Sequence, residues 1–405
     1  MHNFPQLTEM KKYNFDKIID RHGTGSIMTD CMNKVFGRED LCPLWIADMD
    51  FEVCPAICDA IEKRASHHIY GYSQAPDSYW DSIINWIKHR HNWDVAREEL
   101  THVNGVVRGY AYALNFFTQR GDTIVKQQPV YHPFKNVAIG NHRRVVSNDL
   151  IKNGDSYTMD LAGLEQIFAT ESPKLMVLCN PHNPIGICWD KESLQEVARL
   201  ARKYNVIVVS DEIHSDLGIF GHKHTPFASV NEDAAAVSIS FGAPSKTFNI
   251  PGVCSSWCVV KNPELRKPFF EWLQVNEFSV PTWFATEATE AAYTHGEEWL
   301  NELIPYIEDN ILAVEEYCKN NLRGVHPVRP QASFLIWLDC TKLGLTHDKL
   351  IDLFVNRAHL ALNDGEMFGK GGEGHMRLNI ANPREMIINA LEQLKEAISS
   401  IDNKK

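Results

Sequence analysis

Short apolar runs rich in β-branched residues alternate with longer amphipathic stretches through the first two thirds of the chain. The apolar runs predict strands at 122–127, 174–179, 205–210 and 234–240. The amphipathic stretches predict helices at 106–118, 160–168 and 190–203. Strands that alternate with helices are typical of an α/β domain with a buried, mostly parallel sheet flanked by helices.

The pattern changes after about residue 290. Long amphipathic helices are predicted at 297–320, 346–357 and 383–401, around two short strand candidates, "SFLIWLD" and "HMRLNIA". This part of the chain predicts a second, smaller α+β layer. We therefore expect a large domain over residues 51–290 and a small domain formed by residues 1–50 and 291–405.

Composition narrows the classes of protein that fit. The 405 residues are 44% hydrophobic, which predicts a folded protein with an ample core. Forty Lys and Arg against 52 Asp and Glu give a formal net charge of −12, and no basic block offers a surface for nucleic acid. No apolar run approaches the roughly 18 residues of a membrane span, and no leader-like segment precedes the first helix. We expect a cytoplasmic protein that binds neither nucleic acid nor membrane.

The ten cysteines lie mostly in apolar settings, which favours reduced thiols in a core. Two pairs, Cys54 with Cys58 and Cys254 with Cys258, have a four-residue spacing that is unusual for zinc, and no histidine cluster accompanies them. We expect no metal site.

Polar residues follow each predicted strand of the large domain. The segments are "NGVV" after "ELTHV", "NPHNPIG" after "KLMVLC", "DEIHSD" after "NVIVVS" and "FGAPSK" after "AVSIS". Ligands of parallel α/β sheets gather at the carboxyl ends of the strands, so these segments predict a shared binding site.

Pyridoxal phosphate is a cofactor that requires this collection of groups. Lys246 offers an amine that can bind the aldehyde covalently, and Asp211 offers a carboxylate for the pyridine nitrogen. Asn183 can donate to the phenolic oxygen, and Tyr131 can stack on the ring. His214 can reach the same side of the ring if the chain after Asp211 stays extended.

The phosphate of that cofactor needs hydrogen-bond donors. The backbone amides of Gly105, Val106 and Val107 stand at a predicted helix start, where a dianion is favoured. Each residue of this set also has an ordinary structural explanation: a lysine can extend from a half-buried loop, and Asp, Asn and Gly are common in turns. The joint occurrence in chain order is the specific signal.

The sequence resembles fold-type I pyridoxal-phosphate enzymes of the class I/II aminotransferase superfamily, and most closely the MalY/PatB group of cystathionine β-lyases, or C–S lyases. The resemblance runs nearly from end to end, through "LWIADMDF", "IYGYS", "GVVRGYAYAL", "QPVYHPF", "NPHNPIG", "SDEIHSDL", "PSKTFNIPG" and "FGKGGEGHMRLNIANPR". It implies the roles given above for Lys246, Asp211, Asn183 and Tyr131.

The resemblance also implies roles that the pattern alone does not give. Arg377 would bind the α-carboxylate of an amino-acid substrate, as suits a planar bidentate guanidinium. Tyr72 would reach the cofactor phosphate of a neighbouring subunit, which implies a homodimer. Two positions depart from the aspartate aminotransferase pattern: His214 replaces a tyrosine, and Cys254 replaces a phosphate-binding arginine. The MalY-like group shares both departures, which leaves the phosphate to amides, Ser245 and Ser240.

Two reactions follow from the same residues. Once substrate has displaced it, Lys246 can take the Cα proton. A thiolate can then leave from Cβ, as in a β-lyase that yields a thiol, pyruvate and ammonia, or a proton can return to the cofactor, as in an aminotransferase. The lyase is the first hypothesis and the aminotransferase the alternative.

A catalytically idle binding protein is a third reading, against which the joint presence of Lys246, Asp211 and Arg377 argues. The side chain of the substrate is not specified by the sequence. Trp45, Asp48, Phe51 and Trp283 are candidates to line its pocket, and the first two are favoured by their place in "LWIADMDF".

Overall fold

The computed structural model describes residues 12–402. Residues 1–11 and 403–405, which the sequence analysis assigns to the small domain, lie outside the described part. Fifteen strands are formed within residues 12–402: β1 Cys42–Pro43, β2 Leu100–Val103, β3 Thr123–Gln128, β4 Arg144–Asp149, β5 Ile151–Asn153, β6 Ser156–Thr158, β7 Leu175–Cys179, β8 Ile207–Asp211, β9 Ser238–Gly242, β10 Ser256–Val259, β11 His326–Val328, β12 Leu335–Asp339, β13 Leu360–Ala361, β14 Asn363–Asp364 and β15 His375–Asn379.

The same residues 12–402 form fifteen α-helices: α1 Ile27–Asp30, α2 Met32–Phe36, α3 Pro55–Ala65, α4 Asp77–His91, α5 Val106–Phe117, α6 Pro133–Gly140, α7 Leu161–Glu171, α8 Lys191–Tyr204, α9 Glu232–Val237, α10 Pro244–Thr247, α11 Pro263–Val275, α12 Trp283–His295, α13 Glu297–Asn321, α14 His347–Asp352 and α15 Arg384–Asp402. Short 3₁₀ turns occur at Arg97–Glu99, Phe227–Ser229, Pro251–Val253, Thr341–Leu343 and Gly365–Phe368.

A seven-stranded sheet forms the centre of the molecule, in the order β2-β10-β9-β8-β7-β3-β4. Only β10 runs antiparallel to its neighbours in this sheet. The strands β7, β8 and β9 are buried along their length or nearly so, as expected of strands covered by helices on both faces. The prediction of an α/β fold with a mostly parallel sheet is confirmed.

The helix between β7 and β8 shows how local sequence sets these elements. The carboxylate of Asp190 accepts a hydrogen bond from the Ser193 amide and caps the start of α8. Asn205, in the left-handed region at φ 55°, ends the helix. The apolar face of α8 packs on the sheet through Leu194, Val197 and Ala201. The observed bounds differ from the predicted 190–203 by one residue at each end.

A second, antiparallel sheet of four strands lies later in the chain, in the order β11-β12-β15-β14. The two strand candidates of the sequence analysis form its inner pair, and Trp337 of β12 is paired with Arg377 of β15. The strands β11 and β14 were not predicted, because runs of two or three residues carry no measurable alternation.

The prediction of a strand over 234–240 is wrong in its first half. Residues Glu232–Val237 form α9, and the strand β9 runs over Ser238–Gly242. The Asn231 side chain accepts from the Ala234 amide, and Glu232 and Asp233 occupy the first turn. A cap, an acidic first turn and alanines favour a helix, and these local signals outweigh the apolar run.

The predicted helix at 346–357 also differs from the structure. It is α-helical only over His347–Asp352 and continues as a π-helical turn over Leu353–Arg357. No helix within residues 12–402 combines the length and the apolar character needed to cross a bilayer. All ten cysteines lie in the described part and are free thiols.

Candidate active site

A cavity of about 230 Å³ opens at the carboxyl ends of β7, β8 and β9. Its walls also include the start of α5 and two residues of α10. It is lined by Ala47, Asn104, Gly105, Val106, Val107, Arg108, Tyr131, Cys179, Asn183, Asp211, Ile213, His214, Ser245, Lys246, Pro251, Cys254, Ser255 and Ser256. Every residue that the sequence analysis assigned to the cofactor lines this cavity, except Tyr72 and Ser240.

Lys246 stands in α10, the single turn that follows β9 and a short loop. Its Nζ donates a hydrogen bond to the carbonyl of Ala47, which lies 199 residues earlier in the chain. Burial lowers the pKa of Lys246 to about 8, and Arg377 adds to the lowering, while Asp48 and Asp211 oppose it. An amine with such a pKa is deprotonated often enough near neutral pH to act as a nucleophile and as a base.

Asp211 is the last residue of β8 and is buried. Among the described residues its carboxylate accepts one hydrogen bond, from the Ile213 amide at 3.1 Å. Burial, with a smaller contribution from the neighbouring Glu212, raises the pKa of Asp211 to about 7 against the opposing effect of the Ile213 hydrogen bond. A cationic N–H, such as that of a protonated pyridine nitrogen, would supply the hydrogen bond and the positive charge that this buried carboxylate lacks.

Arg377 lies in the middle of β15 and is buried. It donates to Asn183 Oδ1 at 3.1 Å, to the Trp45 carbonyl at 3.0 Å and to Asn363 Oδ1. Its Nε has no hydrogen-bond partner among the described residues. Burial lowers the pKa of Arg377 to about 10, which still leaves the guanidinium charged at neutral pH and able to bind a carboxylate.

Tyr131 and Asn183 are held together on one wall of the cavity. The Tyr131 amide donates to the Asn183 carbonyl at 3.1 Å. Burial raises the pKa of the Tyr131 phenol, although the charge of Arg377 opposes the effect. The Tyr131 hydroxyl is therefore protonated at neutral pH and can donate a hydrogen bond.

His214 lines the cavity although the chain after Asp211 does not stay extended. Residues 213–216 form a turn, in which the Leu217 amide donates to the His214 carbonyl at 3.1 Å. His214 Nδ1 is buried and has no hydrogen-bond partner among the described residues. Burial lowers the pKa of His214 to about 3, and Lys246 and Arg377 contribute to the lowering, so the ring is neutral.

The other end of the cavity is built from donors that suit a phosphate. Gly105 has φ +133°, a conformation that L side chains rarely adopt, and turns the chain into α5. The amides of Val106 and Val107 follow, and Ser245, Ser255 and Ser256 add hydroxyl groups to the lining. Ser240 lies in β9 with its Oγ buried and is not among the lining residues.

The residues predicted to bind the substrate side chain are not among those that line the cavity described above. The Trp45 indole donates to the Met28 carbonyl at 3.0 Å and packs against Phe36, so only its backbone carbonyl meets Arg377. Asp48 lies in an adjoining cavity of about 620 Å³, which Lys246 also lines.

Phe51 and Trp283 contribute mainly to packing. Phe51 lines the adjoining cavity but lies edge-on to Phe15 in the core, with ring centroids 5.1 Å apart. Trp283 stacks on Tyr70, with ring centroids 5.7 Å apart. Tyr72 is fully exposed on the surface of the chain and does not line the cavity.

The sequence analysis missed Asn104, Arg108 and Asn363. Arg108 could have been found, because it is the third residue of a helix whose start was assigned to the phosphate. Asn363 carried no signal, since its contact with Arg377 depends on the pairing of β14 with β15. Within residues 12–402 no three His, Cys, Asp or Glu side chains are grouped so that they could hold a metal ion.

The fit of pyridoxal phosphate to this cavity rests on unpaired buried groups. Asp211 has one donor, and both His214 Nδ1 and Arg377 Nε lack a partner among the described residues. Lys246, whose pKa is lowered, lines the same cavity as Asp211 and His214, and the start of α5 offers amides to a dianion. These groups would hold an aldehyde, a pyridine nitrogen and a phosphate, which defines the class as fold-type I pyridoxal-phosphate enzymes.

Comparisons with known proteins agree with this class. Residues 39–394 match the family described as aminotransferase class I and II. The chain is 40% identical to cystathionine beta-lyase PatB of Bacillus subtilis, with 95% of this chain and 100% of PatB covered. It is 30% identical to protein MalY of Escherichia coli, with 96% and 100% covered. A PLP-bound C-S lyase from Staphylococcus hominis superposes with a TM-score of 0.89 at 31% identity, over 95% of this chain and 98% of that one.

The chain therefore belongs to the class I and II aminotransferase family. Within that family it is similar to the MalY and PatB proteins over nearly its whole length.

Proposed function

We propose that this protein is a pyridoxal-phosphate-dependent C–S β-lyase, which cleaves cystathionine or a related cysteine S-conjugate to a thiol, pyruvate and ammonia. The observation that carries the proposal is that Lys246 and Asp211 line one cavity together with Asn183, whose Oδ1 accepts a hydrogen bond from Arg377. The end-to-end similarity to a cystathionine beta-lyase supports it.

The cofactor and the residues of the protein have separate roles in the proposed reaction. When bound, pyridoxal phosphate draws electrons away from the substrate Cα and makes the Cα proton acidic. Asp211 would pair with the pyridine nitrogen and hold its proton. Tyr131 and His214 would flank the ring, and Asn183 would donate to the phenolic oxygen through its side-chain NH₂, because its Oδ1 accepts from Arg377.

Lys246 would carry the proton transfer. Its lowered pKa, about 8, leaves part of the amine unprotonated near neutral pH and able to accept the Cα proton. Arg377 would hold the α-carboxylate through its guanidinium, whose Nε has no hydrogen-bond partner among the described residues. Loss of the Cα proton would then be followed by cleavage of the Cβ–S bond, and the sulfur would leave as a thiolate.

The adjoining cavity is the proposed place for the rest of the substrate. Asp48 lies there beside Lys246 and is held by Arg21, whose guanidinium donates to both carboxylate oxygens at 3.2 and 2.8 Å. Trp45 would act on the substrate indirectly, because its carbonyl positions Arg377.

Three further properties belong to the proposal. The functional unit is a homodimer in which the exposed Tyr72 contacts the cofactor phosphate of the partner subunit. The compartment is the cytoplasm, a reducing environment that suits ten free thiols. The large unit spans 51–290, which contains the whole seven-stranded sheet, and the small unit comprises 1–50 and 291–405.

The test is pyruvate release from cystathionine by protein loaded with pyridoxal phosphate and given no keto acid. We expect steady pyruvate and thiol release, and none from alanine, which has no leaving group on Cβ. Rapid keto-acid-dependent turnover without pyruvate would contradict the lyase and favour the aminotransferase. Loss of both activities in Lys246→Ala would show that the measured reaction belongs to this site.

A further inference from the structure

Arg108 stands at the phosphate end of the cavity, where the sequence analysis expected only neutral donors. It is the third residue of α5 and lines the cavity together with Gly105, Val106 and Val107. Cys254 also lines the cavity and offers no positive charge. Apart from Lys246, Arg108 is the only Lys or Arg among the lining residues.

The Arg108 side chain runs back along its helix toward the helix start. Its Cδ lies 3.9 Å from the position that a Cβ on Gly105 would take. Its Nη1 donates to the Asn104 carbonyl at 2.7 Å. The guanidinium therefore lies close to the start of α5, whose first residues also line the cavity.

The acceptor that holds Arg108 is itself fixed. The Tyr112 hydroxyl donates to Asn104 Oδ1 at 2.9 Å, and the Tyr112 ring stacks on Phe278 with centroids 4.4 Å apart. Among the described residues Arg108 makes one hydrogen bond, and its acceptor is a backbone carbonyl and not a carboxylate. Most of the guanidinium donors are thus free.

We propose that Arg108 binds the cofactor phosphate and supplies the positive charge that Cys254 does not. A dianion held only by amides and hydroxyls has no counter-charge, because Lys246 is committed to the aldehyde end. A guanidinium adjacent to the α5 amides completes the site with a charged hydrogen bond. The inference rests on the proposed cofactor but not on which reaction the enzyme catalyses.

The test compares two ligands that differ only in the phosphate. Cofactor-free protein is titrated with pyridoxal phosphate and with pyridoxal, and binding is followed by the visible absorbance of each. In Arg108→Gln we expect the Kd for pyridoxal phosphate to rise about tenfold to hundredfold, since hydrogen bonds to charged groups contribute roughly that much. The Kd for pyridoxal should stay within about twofold of the parent value, which the same principle predicts for a ligand without phosphate.

Arg120→Gln is the matched control, because Arg120 is exposed and follows the far end of α5. It should leave both Kd values unchanged, whereas Arg108→Lys should recover part of the lost affinity by restoring the charge.

An unchanged Kd for pyridoxal phosphate in Arg108→Gln would overturn the proposal, as would an equal rise for both ligands. A raised KM for carboxylate-bearing substrates with unaltered cofactor affinity would assign Arg108 to the substrate instead. These results do not depend on pyruvate formation, so failure of the lyase proposal would be recognised separately.

Discussion

The last residue of β8 and the turn that follows it, residues 211–216, carry acidic and imidazole side chains that lie on two sides of the chain. Asp211 and His214 face the cavity, and we call them the front groups. Glu212 and Asp216 lie on the other side, and with His91 and His224 they form what we call the rear network. Asp211, Glu212, His214 and Asp216 are all buried and lie within six residues of sequence, but the hydrogen bonding of the two sets differs sharply.

The rear carboxylates are fully supplied with donors. Glu212 accepts from the Ser210 hydroxyl at 2.8 Å and the Phe227 amide at 3.0 Å, and His224 Nε2 lies 3.0 Å away. Each of these donors belongs to the protein. The buried Glu212 carboxylate therefore has three partners within the protein.

Asp216 is equally well supplied and lies next to the reactive lysine. It accepts from Thr247 Oγ1 at 2.8 Å and Trp86 Nε1 at 3.1 Å, and His91 Nε2 lies 2.9 Å from its Oδ1. Burial by itself raises the pKa of Asp216, but the hydrogen bond and charge of His91 outweigh burial and leave the pKa below its usual value. Front Asp211 has one donor and a raised pKa, so its burial is compensated only when a ligand arrives. The cavity-facing carboxylate and the rear carboxylates thus differ in how many hydrogen-bond donors the protein itself supplies to them.

The largest effect expected is from Lys246→Ala, which should lower pyruvate release by more than about 10⁴-fold because it removes both the covalent link and the base. Lys126 provides a comparison within the molecule: burial lowers its pKa to about 8 as well, but its Nζ donates to Gln128 Oε1 at 2.6 Å outside the cavity. Borohydride treatment of loaded protein followed by peptide mapping should find the cofactor on Lys246. Label on Lys126 would show that a lowered pKa, rather than the site, decides the attachment.

Asp211→Asn should reduce kcat about 10²- to 10³-fold, since a preorganised charge opposite the ring nitrogen is lost. The fold should be retained, because the carboxylate it replaces has only one hydrogen bond in the protein. Kinetics with cystathionine and thermal unfolding of the same sample measure the two consequences. Unchanged kcat would remove Asp211 from its proposed role.

Many of the residues that line the cavity could be predicted from the sequence, because parallel strands place the residues at and after their carboxyl ends along one edge of the sheet. Asp211 ends a strand of the central sheet, and Asn183 and Lys246 each follow one, so order along the chain was sufficient. The contact of Lys246 with Ala47 and that of Arg377 with Trp45 join segments about 200 and 332 residues apart. No local pattern encodes such contacts.

The rear network was not predicted for a related reason. Glu212 and Asp216 were visible in "DEIHSD", but whether an acidic side chain meets a ligand or an internal donor depends on which side of the turn it takes. The donors come from α4, α10 and the segment near Phe227, which are distant in sequence. The same limit applies to Trp45, whose indole belongs to packing although its motif suggested substrate.

Asp216→Asn should act mainly on stability. The amide can keep one or two of three contacts but presents an NH₂ to groups that are donors, so we expect a loss of about 1–3 kcal/mol. Urea unfolding measures this loss, and kcat should fall less than tenfold after reloading with cofactor. Exposed Asp59→Asn, on α3, is the control and should change neither quantity. A large loss of kcat with unchanged stability would move Asp216 from the rear network to the catalytic groups.

The smallest effect that we expect is on the pH dependence of the free energy of unfolding, to which Asp211 and Asp216 should contribute with opposite signs. Asp211 has a folded pKa of about 7 against an ordinary 3.8, so cofactor-free folded protein holds a proton that the unfolded chain has lost. Its contribution to stability is therefore present below pH 3.8 and lost as pH rises through about 7. Asp216 has a lowered pKa, so its contribution is present above pH 3.8 and lost as the medium becomes more acidic. Free energies of urea unfolding between about pH 3 and 8 should thus show a flatter neutral limb in Asp211→Asn and a flatter acid limb in Asp216→Asn. If both variants flattened the same limb, the contrast between an unsatisfied front and a satisfied rear would be wrong.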